Sequence, residues 1–175
     1  MMQINVSEIL STSGKSQSFQ AEPGFDFVPY SGVEYPVAAK ESFALSVSNI
    51  GKKKIRVTGE TKVVLLIPCD RCLNDVSVEF PIKIDVVIDR TTEDDDEKEW
   101  NDIVLSDGIM LEVDMLVYDE IAANFPMKTL CKEDCKGLCP KCGKPRREGP
   151  CDCSEREIDP RLAILATLLD KNEEE

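Results

Sequence analysis

A chain of 175 residues is long enough for one medium domain, or a domain with a small appendage, and for a real core. It contains no histidine, which removes the usual general base at neutral pH and every catalytic dyad or triad that needs an imidazole. Its 34 Asp and Glu against 21 Lys and Arg leave a net charge of −13, which opposes long-range attraction to a phosphate backbone and favours a basic partner.

The opening residues MMQINVSEILSTSGK lack the basic start and apolar run of a secretory signal, and no stretch of about 18 apolar residues follows. The expectation is therefore a cytoplasmic protein with no membrane segment. In a reducing compartment its eight cysteines bind metal or do redox chemistry more readily than they form structural disulfides. The charge is unevenly spread: Lys128, Lys132, Lys136, Lys141, Lys144, Arg146 and Arg147 face only Glu133 and Asp134, so that segment is locally +5.

In chain order, the first forty residues mix polar stretches with isolated aromatics and prolines, which suggests irregular or short edge structure. Phe43, Leu45 and Val47 alternate with polar neighbours, Asn49 to Lys52 carries a turn signal, and the alternation resumes at Ile55 and Val57, as in a hairpin. The apolar run KVVLLI over 62–67 fits a strand covered on both faces. Val76 to Ile88 keeps close to period two for thirteen residues, with Pro81 placing that strand at an edge or a bulge. Strands over 43–48, 53–67 and 76–88 thus predict an antiparallel meander.

The acidic run from Glu93 to Glu99 reads as a solvated loop, because no EF-hand spacing accompanies its carboxylates. Val113, Leu116, Val117 and Ile121 form the stripe of a helix over 112–124 that docks on the sheet. Near the end, Asp159 suits an N-cap and Pro160 the first position of a helix carrying Leu162, Leu165, Ala166 and Leu169 on one stripe, with Lys171 to Glu175 frayed. The fold class expected is α+β: an antiparallel β-sheet meander with a docked helix, a Cys-rich zinc-knuckle segment and a C-terminal helix. The β-rich body spans 1–126 and the Cys-rich segment with its helix spans 127–175, the two making one compact unit.

Six cysteines follow the docked helix as C131-x3-C135-x3-C139-x2-C142-x8-C151-x-C153. Cys139-Pro-Lys-Cys142-Gly143 has the form of a knuckle in which two thiolates chelate one ion and glycine permits the left-handed turn. Cys151 and Cys153 complete a tetrahedron of four thiolates without histidine, which describes a structural Zn²⁺ site. Cys69-Asp70-Arg71-Cys72 lies between two predicted strands. It could join Cys131 and Cys135 in a second site, or remain a pair of free or partly buried thiols beside a turn. One zinc is expected, and the cysteine count permits two. A thiol-disulfide redox role for a Cys-x-x-Cys pair would require thiolate activation at a helix start, which the flanking Gly137, Gly143 and Pro145 argue against.

Taken together, Cys69-Asp-Arg-Cys72-Leu73, the acidic linker, Asn124-Phe125-Pro126, Cys135-Lys-Gly-Leu-Cys139-Pro-Lys-Cys142-Gly143, Cys151-Asp-Cys153 and Asp159-Pro-Arg-Leu-Ala163 resemble the YceD family. One departure is that Lys144-Pro145-Arg146-Arg147 stands where the family pattern usually continues with Asn-Leu-Asn. The resemblance implies a role in the accumulation, processing or stability of bacterial large-subunit 23S rRNA, and hence in ribosome biogenesis. On that reading the chain is non-enzymatic and binds an rRNA precursor or a basic ribosomal protein, with Lys136, Lys141, Lys144, Arg146, Arg147 and Arg161 as contacts. A redox protein, or a zinc-dependent interaction module unrelated to ribosomes, are the alternatives.

Overall fold

The computed structural model describes residues 2–91, 94–149 and 151–153. The chain divides into two compact units, Met1–Glu133 and Asp134–Glu175. The expected C-terminal helix, with Asp159, Pro160 and Arg161, lies outside the described residues. No helix among the described residues is long and apolar enough to cross a membrane.

The first unit is α+β and its sheets are antiparallel. Its spine is the meander of β5 (Phe43–Gly51), β6 (Lys54–Pro68) and β7 (Asp75–Asp89); β5 runs past its predicted end, and β6 and β7 lie within one residue of their predicted bounds. The β5–β6 turn is two residues, Lys52 and Lys53, both at positive φ, which is the conformation a tight hairpin needs to match strand twist. Along one side β6 pairs with all of β7; along the other, β5 takes its first half and β4 (Val33–Lys40) its second. Inside the run 62–67 only alternate residues Val63, Leu65 and Ile67 are buried, while Lys62, Val64 and Leu66 are half-buried, so the strand has one fully covered face rather than two.

Pro81 sits on β7, whose only sheet partner among the described residues is β6, as an edge proline should. The Cys69 amide donates to the Asn74 carbonyl at 2.7 Å and the Arg90 amide to the Lys53 carbonyl at 3.4 Å. Pairing alternates along an antiparallel ladder, so Lys62 and Pro81 face each other across a pair without hydrogen bonds, and the donor that proline lacks falls on the open side.

The first forty residues are more regular than their composition suggests. They form β1 (Gln3–Asn5), α1 (Ser7–Ser11), β2 (Ser16–Ala21), β3 (Phe27–Tyr30) and β4. β3 and β4 are joined by Ser31 and Gly32, both at positive φ. β2 is polar along nearly its whole length, so its sequence shows no two-residue apolar alternation; pairing with β5 makes it a strand.

The acidic run is not a loop throughout. Asp94 caps α2 (Asp95–Val104) by accepting from the Glu97 amide at 3.1 Å, and Asp95, Asp96 and Glu97 lie in the first turn, where the helix dipole favours negative charge. The apolar anchors, Trp100 and Val104, come only after the charge run, which is why the run looked unstructured by itself.

A second, small sheet orders β1, β9 (Met110–Glu112) and β8 (Leu105–Ser106), and leads into α3 (Val113–Ala123). α3 buries Val113, Leu116, Val117 and Ile121 in the same core as Leu45, Val57, Leu65 and Ile84, which is the docking expected of it. Phe125, just past its end, stacks on Tyr30 with centroids 4.0 Å apart and touches Phe80 of β7 at 5.9 Å. Two buried carboxylates secure the N-terminal segment: Asp114 accepts from the amides of Met2 and Gly24, each at 2.8 Å, and Glu112 accepts from Gln3 Nε2 at 2.6 Å.

Candidate metal centre

The two Cys-x-x-Cys segments have the same backbone. In the first, at the β6–β7 turn, the Cys69 amide donates to the Asn74 carbonyl at 2.7 Å and the Leu73 amide donates back to the Cys69 carbonyl at 2.9 Å. In the second, the Cys139 amide donates to the Lys144 carbonyl at 2.9 Å and the Gly143 amide to the Cys139 carbonyl at 2.9 Å. The residue after the second cysteine is left-handed in both, Leu73 at φ 59° and Gly143 at φ 72°. The Leu138–Pro145 bridge and the bond from the Arg146 amide to the Gly137 carbonyl, 3.0 Å, extend the second knuckle into a short hairpin.

The purpose of this turn is visible at the sulfurs. Burial pushes the Cys69 thiol up, but the amides of Cys131, Arg71 and Cys72 and the Cys72 thiol outweigh it and hold Cys69 at about 6. Cys139 is held at about 6 by the amides of Cys142 and Lys141 and by contact with Cys151. Amide groups aimed at a sulfur stabilise thiolate, the form that ligates metal. Cys153 goes the other way, pushed up to about 12 chiefly because its thiol hydrogen-bonds to the Cys142 and Cys151 sulfurs, with burial and the negative charge of those neighbours adding to it. A cation among them offsets that charge.

Two groups of four sulfurs could hold a metal ion: Cys69, Cys72, Cys131 and Cys135, and Cys139, Cys142, Cys151 and Cys153. Within each group the ligand atoms all lie within 4.8 Å of one another. Sulfurs placed about 2.3 Å from a tetrahedral Zn²⁺ are roughly 3.8 Å apart. The separations Cys72–Cys131, 3.5 Å, and Cys139–Cys151, 3.4 Å, are near that spacing. All-thiolate donors with four ligands per group match a closed site, and the residues fit the ion. Cys69, Cys72 and Cys139 are buried, whereas Cys142 is exposed.

Neither Cys-x-x-Cys opens a helix; each lies in a turn, so the helix-start activation that a redox pair requires is missing from both. Around the second knuckle Lys136, Lys141, Lys144, Arg146 and Arg147 are exposed, while Arg161 lies outside the described residues. Two features of the first knuckle escaped the sequence. One is Leu73, an ordinary side chain in the left-handed position. The other is Asp70, which is hydrogen-bonded twice to Thr129, two residues before Cys131. Only the spacing of Asp70 inside the motif hinted at it.

A family model described as large ribosomal RNA subunit accumulation protein YceD matches residues 57–169. The chain belongs to the YceD family. The matched stretch begins in β6 and takes in all eight cysteines, and β1 to β5 precede it. Among relatives, an uncharacterised protein of Mycobacterium tuberculosis H37Rv is 32% identical over 122 residues, 66% of this YceD-family chain and 56% of the relative. The uncharacterised YlbN of Bacillus subtilis 168 is 30% identical over 112 residues, 63% of each chain. A protein of Arabidopsis thaliana named large ribosomal RNA subunit accumulation protein YCED homolog 1, chloroplastic, is 26% identical over 144 residues, covering 67% of this chain and 45% of its own. The chain thus spans little more than half the length of the mycobacterial relative. No solved structure matches it significantly.

Proposed function

We propose that this YceD-family protein is a non-enzymatic factor of bacterial ribosome biogenesis, acting in the cytoplasm. It supports the accumulation, processing or stability of large-subunit 23S rRNA by binding an rRNA precursor or a basic ribosomal protein. The observation that carries this reading is the family match over 57–169, whose description names large-subunit rRNA accumulation, as does the plant relative's name.

The chemistry is consistent with binding rather than turnover. The chain offers no imidazole, and its eight thiols fall into two groups of four that Zn²⁺ would close, leaving no open coordination position for a substrate. The Zn²⁺ ions supply rigidity. They hold the exposed Lys136, Lys141, Lys144, Arg146 and Arg147 on a stiff hairpin that suits phosphate contact. The first unit suits a basic protein instead, since residues 1–133 carry 24 Asp and Glu against 13 Lys and Arg.

The test is depletion of the protein in its own cell, followed by measurement of 23S and 16S rRNA and of their precursors. The expected result is a fall in 23S relative to 16S with unprocessed large-subunit precursors retained. An unchanged ratio, with normal subunit profiles on a sucrose gradient, would overturn the proposal.

A further inference from the structure

Three strands of the main sheet, β2, β3 and β7, have only one partner among the described residues. Such strands present unpaired amides and carbonyls, and proteins guard them with proline, charge or extreme shortness. On β7, Pro81 removes the outward donor and is flanked by Glu79, Lys83 and Asp85. On β3, the Val37 amide bonds the Asp26 carbonyl at 2.9 Å, and the alternation from there places Pro29 opposite Glu34 in a pair without hydrogen bonds. The missing donor of Pro29 therefore also faces outward.

β2 has neither guard. Its residues, Ser16-Gln17-Ser18-Phe19-Gln20-Ala21, include no proline and no charge. The Asn49 amide donates to the Lys15 carbonyl at 2.9 Å, so the hydrogen-bonded pairs with β5 are Gln17–Val47, Phe19–Leu45 and Ala21–Phe43. The amides and carbonyls of Ser16, Ser18 and Gln20 then point to the open side, and all three residues are exposed.

We infer that β2 is a docking edge at which an extended, basic polypeptide segment adds as a further strand. The backbone of Ser16, Ser18 and Gln20 supplies the hydrogen bonds of such an addition. Their neutral side chains add no charge that would repel an incoming strand, and the surplus of 24 acidic over 13 basic residues in the unit selects a partner of positive charge. The inference does not rest on the rRNA reading, and either can fail alone.

The experiment uses the full chain, ¹⁵N-labelled, and three synthetic ten-residue peptides in which threonine alternates with lysine, glutamate or serine. Hydrogen exchange of individual amides is followed by NMR. The lysine peptide is expected to slow exchange at Ser16, Ser18 and Gln20 by about tenfold or more, less so at high salt, with no such effect from the glutamate peptide. Ser18→Pro should abolish the protection while sparing the β2–β5 ladder, because the Ser18 amide is not used in it. Ser18→Lys keeps the amide but adds like charge, and should weaken protection without disturbing the strand. Absence of protection at these three amides, or equal protection by the glutamate peptide, overturns the proposal. So does protection without peptide that grows with protein concentration, which would make the occupant a second copy of the chain.

Discussion

Asp70 and Thr129 are hydrogen-bonded to each other twice. The Asp70 amide donates to the Thr129 carbonyl at 2.9 Å, and the Thr129 amide donates to Asp70 Oδ2 at 2.7 Å. This double bond ties the first knuckle to the segment that delivers Cys131, bringing Cys72 and Cys131 to 3.5 Å. Asp70→Ala leaves the amide of buried Thr129 without its acceptor, a loss of about 1–3 kcal/mol. The expected outcome is a lower unfolding midpoint and faster loss of metal from the first group to a chelator, with the second group unaffected.

Leu73 occupies the position that Gly143 holds in the other knuckle, and it is 66% exposed, so packing gives little reason for its presence. Leu73→Gly relieves left-handed strain and should stabilise the folded protein by up to about 1 kcal/mol, after allowance for glycine's greater freedom when unfolded. Gly143→Ala should do the reverse. No atom of the described residues stands within 4 Å of the added Cβ, so the loss expected there is one of backbone strain. Denaturant titration of the two variants reads both signs.

Two zinc ions per chain are expected by elemental analysis of protein purified without chelator. Cys139→Ser should reduce the content toward one while the first unit stays folded, as judged by its single tryptophan.

Binding of the metal should depend on pH in a defined direction. Cys69 and Cys139 are held at about 6, below the ordinary thiol value, so folding favours their thiolates. That contribution is present in full above the ordinary value and is lost as pH falls through about 6. Metal release, followed with a chromophoric chelator, should rise on acidification as protons compete with the metal for the sulfurs, whereas release that does not depend on pH would refute the assignment of thiolate ligands.

Gly59 faces the core opposite Leu45. A Cβ built on it would lie 3.0 Å from Leu45 Cδ1 and from Phe43 Cε2, and 3.2 Å from the Ala44 carbonyl oxygen. Gly59→Ala should therefore destabilise by about 1–3 kcal/mol despite glycine's low strand propensity, measured by thermal unfolding.

Much of this protein was legible where one local signal had one cause. The strands at 43–48, 53–67 and 76–88 announced themselves by alternation because one face of each is buried, and the stripe of α3 by its helical spacing. The acidic helix was missed because its cap, Asp94, and its anchors, Trp100 and Val104, lie at opposite ends of a charge run, and Trp100 is positioned by Asp119 of a distant helix at 2.7 Å. β2 lies in the stretch read as irregular or short edge structure, and its bounds are not legible there because its strand character comes from β5 rather than from its own residues.

The sequence by itself determined which chemistry the molecule has: eight thiols, no imidazole, and knuckle turns whose spacing chelates, since these depend only on residue type and short chain distance. How the thiols sort into groups depended on tertiary structure. Cys72 and Cys131 are 59 positions apart, and only the β6–β7 turn, the course of α3 and the Asp70–Thr129 bonds bring them together. The same holds for the sheet edges, because which way a proline's missing donor points is a property of the register between strands and is written in neither strand alone.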